Sequence, residues 1–319
     1  MGDAEACVRA RAVRTVRPCS HAGFCLERKD YQNKIVRLLR FFNPEISQIG
    51  VILFCGFAVF RSLFFMLNFA IETAREAGQI LLEKFGRKIT ITKKGDIDLV
   101  TEADLASEKL IIERIKSYHP KHSILAEESG EAIIIGGDTN WKWIIDPLDG
   151  TTNYAHGYPC FCVTIALERD GEIVIGVTFD PTRNELFAAE RGQGATLNNK
   201  PIRVSDTEKL SESLICTGFP YDFKDKDNFA RHLTDFLLKS RGVRRDGSAA
   251  IDMAYVACGR FDGFWEEGLH AWDVAAGVLL IEEAGGQVSY YDNTKFSIYA
   301  PPICASNGAI HGEMLAVLK

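Results

Sequence analysis

Trp143-Ile-Ile-Asp146-Pro-Leu-Asp149-Gly-Thr151-Thr is an apolar run that ends abruptly in two carboxylates, a proline and a glycine. The apolar half reads as a buried strand, and Pro147 and Gly150 read as the punctuation that turns the chain into a helix. Pro147 fixes its own φ and holds Asp146 extended, while Gly150 permits a tight turn, so both carboxylates can point into one pocket. The N–H groups of Gly150 and Thr151, at the start of the helix, are placed to receive a phosphate oxygen. Two aspartates at this spacing also have an ordinary explanation, because Asp favours turns and helix starts for local reasons.

Working outward, two more segments deliver acids from the ends of apolar elements. Ser123-Ile-Leu-Ala-Glu127-Glu128 is a strand running into carboxylates, and Asp273 opens an apolar helix, Trp272 onward, that ends at Gly285-Gly286. A cluster of hard oxygen ligands drawn from Glu127, Asp146, Asp149 and Asp273 suits Mg²⁺ better than zinc or copper. Upstream, Leu67 to Phe85 repeats apolar residues at three and four, an amphipathic helix expected from Met66 and stopped by Gly86. A short strand at Ile89–Thr92 and a Lys93-Lys94-Gly95 turn lead to a second helix, with Thr101 as its cap and Asp104 in its first turn. Downstream, strands at 160–169, 172–180 and 185–190, joined by Asp-Gly and Asp-Pro turns, read as an antiparallel meander. Further strands are expected at Ser213–Gly218 and Phe261–Glu266, with a small-residue helix opened by Asp246-Gly-Ser248. The whole reads as a layered α/β (α+β) fold with largely antiparallel sheets and no internal repeat.

The 319 residues carry a net charge of −6, are 46% apolar and 25% charged, and show no basic stripe interleaved with aromatics, so nucleic acid is not the default partner. Nine irregularly spaced cysteines with no CxxC pair argue for reduced thiols, as in the cytoplasm, and against zinc or a disulfide framework. Cys160 and Cys162 share a strand face and read as small buried residues. None of His119, His122, His156 and His270 forms an HxxxH pair or reads as a general base; His270 is placed to shape a pocket rim.

Residues 1–48 hold nine Lys or Arg against five Asp or Glu, a charge of +4 that leaves −10 for the rest. The apolar run that follows, Gly50 to Ala70, is broken by Arg61 and Asn68. It is compatible with a membrane anchor, although a central Arg61 costs about 2.5–3.5 kcal/mol at that depth. A start of the working protein at Met66 and an unusual soluble extension are the other two readings. Residues 1–65 therefore read as an extension that supplies the sole candidate membrane contact, and 66–319 as the main domain.

Asp98-Leu-Val-Thr101-Glu-Ala-Asp104, Glu127-Glu128-Ser-Gly130, Asp146-Pro-Leu-Asp149-Gly-Thr151-Thr-Asn and Trp272-Asp273-Val-Ala-Ala-Gly277 resemble, in this order, the signature segments of the inositol monophosphatase family. The resemblance spans about residues 66–319. It implies an αβαβα sandwich, a homodimer, Mg²⁺ dependence and sensitivity to lithium. It also implies metal ligation by Glu127, Asp146, the Leu148 carbonyl, Asp149 and Asp273, and water activation by Asp104 with Thr151. Phosphate would lie on Gly150 and Thr151, the alcohol side against Gly247, Ser248, Ala249 and Glu266, and Lys94 on a turn near the metals.

Each of these residues has a plain competitor. Asp104 has capping-box spacing from Thr101, and Thr151 is ordinary at a helix start. The family constrains the reaction more than the substrate: a small phosphorylated polyol, inositol monophosphate first, because Glu266 can accept hydroxyl hydrogen bonds. A sugar bisphosphate is the alternative that Arg241, Arg244 and Arg245 keep open. A regulatory binding protein of the same fold is the non-enzymatic one.

Overall fold

The computed structural model describes residues 44–87, 91–93, 99–132, 138–219, 226–300 and 302–319. The chain divides into two units, Met1–Phe60 and Arg61–Lys319, and the layers below belong to the second. In chain order the elements are α1 (Pro44–Lys84), β1 (Ile91–Lys93), β2 (Leu99–Thr101), α2 (Glu102–Tyr118), β3 (His122–Ala126), β4 (Gly130–Ala132), β5 (Asp138–Asp149) and α3 (Thr151–Ala155). There follow β6 (Cys162–Arg169), β7 (Glu172–Asp180), β8 (Glu185–Glu190), β9 (Gly194–Leu197), β10 (Lys200–Ile202) and β11 (Leu214–Thr217). The chain closes with α4 (Lys226–Lys239), β12 (Gly242–Arg244), α5 (Ala249–Ala257), β13 (Gly263–Glu266), α6 (Ala271–Glu283), β14 (Gln287–Ser289), β15 (Ile303–Ser306) and α7 (His311–Leu318).

Eight strands form one sheet in the order β10-β9-β8-β7-β6-β5-β3-β4, five form a second in the order β12-β11-β13-β15-β14, and β1 pairs with β2. The expected three-strand meander is present as β6 to β8, and two short strands that the sequence reading does not include, β9 and β10, extend it, each strand antiparallel to the one before it. The sheets are more mixed than the sequence reading has them: β3 runs parallel to β5, and β11 parallel to both β12 and β13. For β11 the reason is the intervening helix, since α4 joins β11 to β12 and α5 joins β12 to β13, and a helical crossover returns the next strand in the same direction.

Side-chain alternation along the strands separates three cores. Trp143 and Ile145 point with Phe161, Val163 and Ile165 toward Ala70, Ala74, Leu81, Ile111 and Ile115 of α1 and α2. Ile144, Cys160, Cys162 and Phe187 point the other way, onto α5 and α6, which also receive Cys216, Phe264, Ile303 and Ala305 from the second sheet. Trp265 and Cys304, on the opposite face of that sheet, pack with Phe229, Phe236, Met314 and Leu318 of α4 and α7. The order is helix, sheet, helix, sheet, helix, as the resemblance implies. Each large apolar side chain buried between layers contributes roughly 1.5–3 kcal/mol.

The first helix begins at Pro44 rather than Met66. Pro is well suited to a first helical position, and no further proline interrupts the chain before Met66. Among the described residues no helix is long and apolar enough to cross a membrane. The side chains of 44–62, which carry most of the anchor reading, lie outside the described residues, as do Lys94 and Asp98.

Candidate active site

The site begins with an irregularity in β5. Asp146 is opposite Thr164 of β6 and Asp149 is opposite Cys162, so three steps on one strand match two on its partner. Three steps along a regular strand would place the two carboxylates on opposite faces; the bulge absorbs one residue and returns them to the same side. The Asp146 carboxylate accepts the Leu148 N–H at 2.9 Å, which fixes this turn. Gly150 then takes φ +94°, and a Cβ there would lie 2.8 Å from the Cys160 carbonyl oxygen, so both conformation and space require glycine.

Helix α2 approaches this corner with its first turn. The Thr101 hydroxyl caps it, and the Asp104 carboxylate returns the bond to the Thr101 N–H at 2.9 Å, a capping box. The same carboxylate receives the Thr101 hydroxyl on Oδ2 and, on Oδ1, the Thr151 hydroxyl at 3.3 Å. Thr151 Oγ1 also lies 3.0 Å from the Leu148 carbonyl oxygen. The capping carboxylate of Asp104 thus also holds Thr151, which borders the cavity, while Asp104 itself is not on the cavity wall.

From the far side, the first turn of α5 reaches Asp149, whose Oδ2 accepts the Ser248 hydroxyl at 2.6 Å and the Ala250 N–H at 2.7 Å. Asp273, third residue of α6, accepts the His270 N–H at 2.7 Å. Glu127, Asp146, Leu148, Asp149, Gly150, Thr151, Glu266 and Asp273 together border one cavity of about 210 Å³. Glu267 and His270 stand on its rim. Ser248 meets the site through Asp149, whereas Gly247 and Ala249 are not on the cavity wall.

Six of the bordering side chains are acidic and, among the described residues, none is Lys or Arg. Burial, followed by the charges of Glu127, Asp149 and Asp273, holds the Asp146 carboxyl well above its usual range. Burial and then Asp149 do the same to Asp273, and push Glu266 up to about 8. Burial also raises Asp149 and Asp104, against the pull of their hydrogen bonds. Like charges gathered out of water without a cationic side chain among them are stable only if protonated or balanced by a bound cation. Among the described residues no three Asp, Glu, His or Cys side chains are already gathered closely enough to hold a metal ion. The carboxylates border the cavity instead, and their chemistry fits a divalent cation with oxygen ligands.

Phe219 and Leu269, on the cavity wall, and Gly218 beside Glu266 carried no site signal in the sequence. Gly218, at the end of β11, packs so closely on Glu266 that a Cβ would overlap its carboxylate. Phe219, Leu269 and Trp272 also line the cavity. The Arg245 guanidinium lies 4.8 Å from the Phe219 ring centroid and draws the Glu266 carboxyl downward. The parallel pairing of β11 with β13 sets Gly218 and Phe219 beside Glu266, nearly fifty residues away in the chain, so no local spacing reveals the contact.

A layered sandwich with a carboxylate cavity at the end of a bulged strand defines a class, the phosphoric monoester hydrolases of the inositol monophosphatase type. The family's sequence model matches residues 63–319, and the chain belongs to the inositol monophosphatase family, a family of metal-dependent phosphatases. It is 47% identical over 260 residues to the inositol-1-monophosphatase of Synechocystis sp., covering 79% of this chain and 88% of that one. It is 42% identical over 257 residues to Nus factor SuhB of Escherichia coli, covering 80% and 96%. Among solved structures, inositol monophosphatase from Anabaena (Nostoc) sp. PCC 7120 matches with a TM-score of 0.73 at 47% identity over 81% of this chain and 96% of that one. The extragenic suppressor protein suhB from Bartonella henselae matches at 0.77 and 41% identity, covering 80% and 98%.

Proposed function

We propose that the chain hydrolyses a small polyol phosphate monoester, inositol monophosphate first, with Mg²⁺ held by Glu127, Asp146, Asp149, Asp273 and the Leu148 carbonyl. The observation that carries this reading is the cavity bordered by six acidic side chains and, among the described residues, no Lys or Arg. A phosphate dianion would be repelled from such a site unless cations were bound there. When bound, Mg²⁺ supplies charge compensation for the phosphoryl group and a lowered pKa for water. The protein's own groups do the rest. Thr151, held by Asp104, orients the attacking water, and Asp104 takes its proton. Gly150 and Thr151 receive the phosphate, and Glu266 accepts a polyol hydroxyl.

A sugar bisphosphate is the second substrate reading, supported by the position of Arg245 against Phe219 on the cavity wall. Phosphate release from inositol 1-phosphate and fructose 1,6-bisphosphate, with and without Mg²⁺, tests both. The expected result is Mg²⁺-dependent turnover of inositol 1-phosphate that falls by about 10²–10⁴ in Asp104→Asn and is abolished in Asp149→Asn. Preference for the bisphosphate, lost in Arg245→Ala, selects the alternative. Silence toward both substrates in a folded, Mg²⁺-binding protein overturns the polyol reading and favours a regulatory role, as the name Nus factor SuhB implies for the Escherichia coli relative.

A further inference from the structure

Helix α2 presents three polar side chains to the site from one face. Asp104, Ser107 and Glu108 stand at i, i+3 and i+4, neighbours on a helix surface, and all three are buried. Each holds a different segment. Asp104 receives Thr151, just past β5, and the Ser107 hydroxyl donates to the Pro147 carbonyl in the β5 bulge at 2.9 Å, so the two fasten the end of that strand. Glu108, 5% exposed, accepts the Glu128 N–H on Oε2 at 2.9 Å and so fastens the turn between β3 and β4. Residues 127–129 lie between the ends of those two strands, outside the sheet ladder.

We propose that Glu108 is a positioning residue for the metal cluster. By fixing the Glu128 amide it sets the direction from which the adjacent Glu127 faces Asp146, and so the cation affinity, while touching neither cation nor substrate. This rests on the proposed assignment of Glu127 and Asp146 as metal ligands. A hydrogen bond from an amide to a buried carboxylate is among the stronger ones, and shortening the side chain leaves that N–H without this acceptor. A glutamine keeps an acceptor oxygen at the same reach.

The test is calorimetric titration of the full-length, EDTA-stripped chain with MgCl₂, with Trp272 fluorescence as a second readout. Wild type, Glu108→Ala, Glu108→Asp, Glu108→Gln and Asp146→Asn are compared, together with kcat and KM at saturating Mg²⁺. Glu108→Ala and Glu108→Asp are expected to weaken Mg²⁺ binding about tenfold or more, the low end of what loss of an outer-shell partner costs. Glu108→Gln stays close to wild type, and substrate KM at saturating Mg²⁺ is unchanged. If Glu108→Ala does not fold, Glu108→Asp, which keeps charge and most of the packing, carries the comparison. Wild-type Mg²⁺ affinity in a variant that merely melts lower overturns the proposal. So does Glu108→Gln behaving like Glu108→Ala, which would make the charge and not the hydrogen bond decisive. Unchanged binding in Asp146→Asn would instead overturn the metal assignment itself.

Discussion

Ser248 and Asp149, ninety-nine residues apart, are joined by a 2.6 Å hydrogen bond in which the hydroxyl of a helix cap donates to a carboxylate oxygen of the cavity. The same Ser248 oxygen lies 3.4 Å from the Ile251 N–H as cap of α5. Fold and site thus share one atom.

Ser248→Ala therefore removes two things together. Loss of the cap costs about 1 kcal/mol, visible as a lower melting temperature. Loss of the bond also releases the downward pull on the Asp149 carboxyl, so kcat/KM is expected to drop roughly tenfold, equivalent to about 1.4 kcal/mol. Ser248→Thr restores both. A stability loss with kcat/KM unchanged would show that the bond matters to the helix alone.

The crowded carboxylates give the metal-free protein an unusual pH dependence. Asp146, Asp273 and Glu266 are all held above their ordinary values in the folded chain. The native state therefore keeps protons that the unfolded chain releases. Its stability is full below the ordinary carboxylate range and is lost as pH rises through the folded values, for Glu266 between 4.5 and about 8. Melting temperature measured in EDTA should fall between pH 5 and pH 8, and Mg²⁺ added at pH 8 should restore it. Glu266→Gln should flatten part of the slope. A melting temperature that rises with pH in EDTA would contradict this charge arrangement.

Gly218 offers a way to disturb the alcohol side alone. A Cβ at this position overlaps the Glu266 carboxylate, so Gly218→Ala must push Glu266 into the cavity. The expected outcome is a substrate KM raised roughly tenfold, about 1.4 kcal/mol, with Mg²⁺ affinity as in wild type. Weakened Mg²⁺ binding with KM unchanged would show that the displacement reaches the metal side instead.

Much of this was legible in the residues because the governing signals are local. The β6–β8 meander shows in alternation punctuated by turn residues, with Asp170-Gly171 and Asn184 adopting left-handed conformations in its two turns. The ends of β3 and β5 and the start of α6 show as apolar runs that stop in acids. Asp104 reads both as a helix cap and as a site candidate, and its carboxylate bonds Thr101 on one oxygen and Thr151 on the other, so capping leaves it in contact with Thr151. What stayed hidden depends on segments meeting across layers. The parallel pairing of β11, the Glu108 bond to the Glu128 amide and the press of Gly218 on Glu266 leave no periodic trace. The β5 bulge is hidden for a further reason: it breaks the two-residue period at the point where the carboxylates require it.

The middle layer has one further consequence. Helices α5 and α6 receive a sheet on either side, and every residue of α5 is buried. Drift in that layer is limited to exchanges of equal size, because both neighbours must accommodate any change at once. The floor of the site is anchored to those helices through Asp149 and Asp273, whereas Phe219 and the 267–270 segment stand at the open margin with Phe219, Gly268 and His270 exposed. The freedom to acquire a new alcohol lies at that margin, so a chain of this kind can change what it accepts while keeping how it cuts.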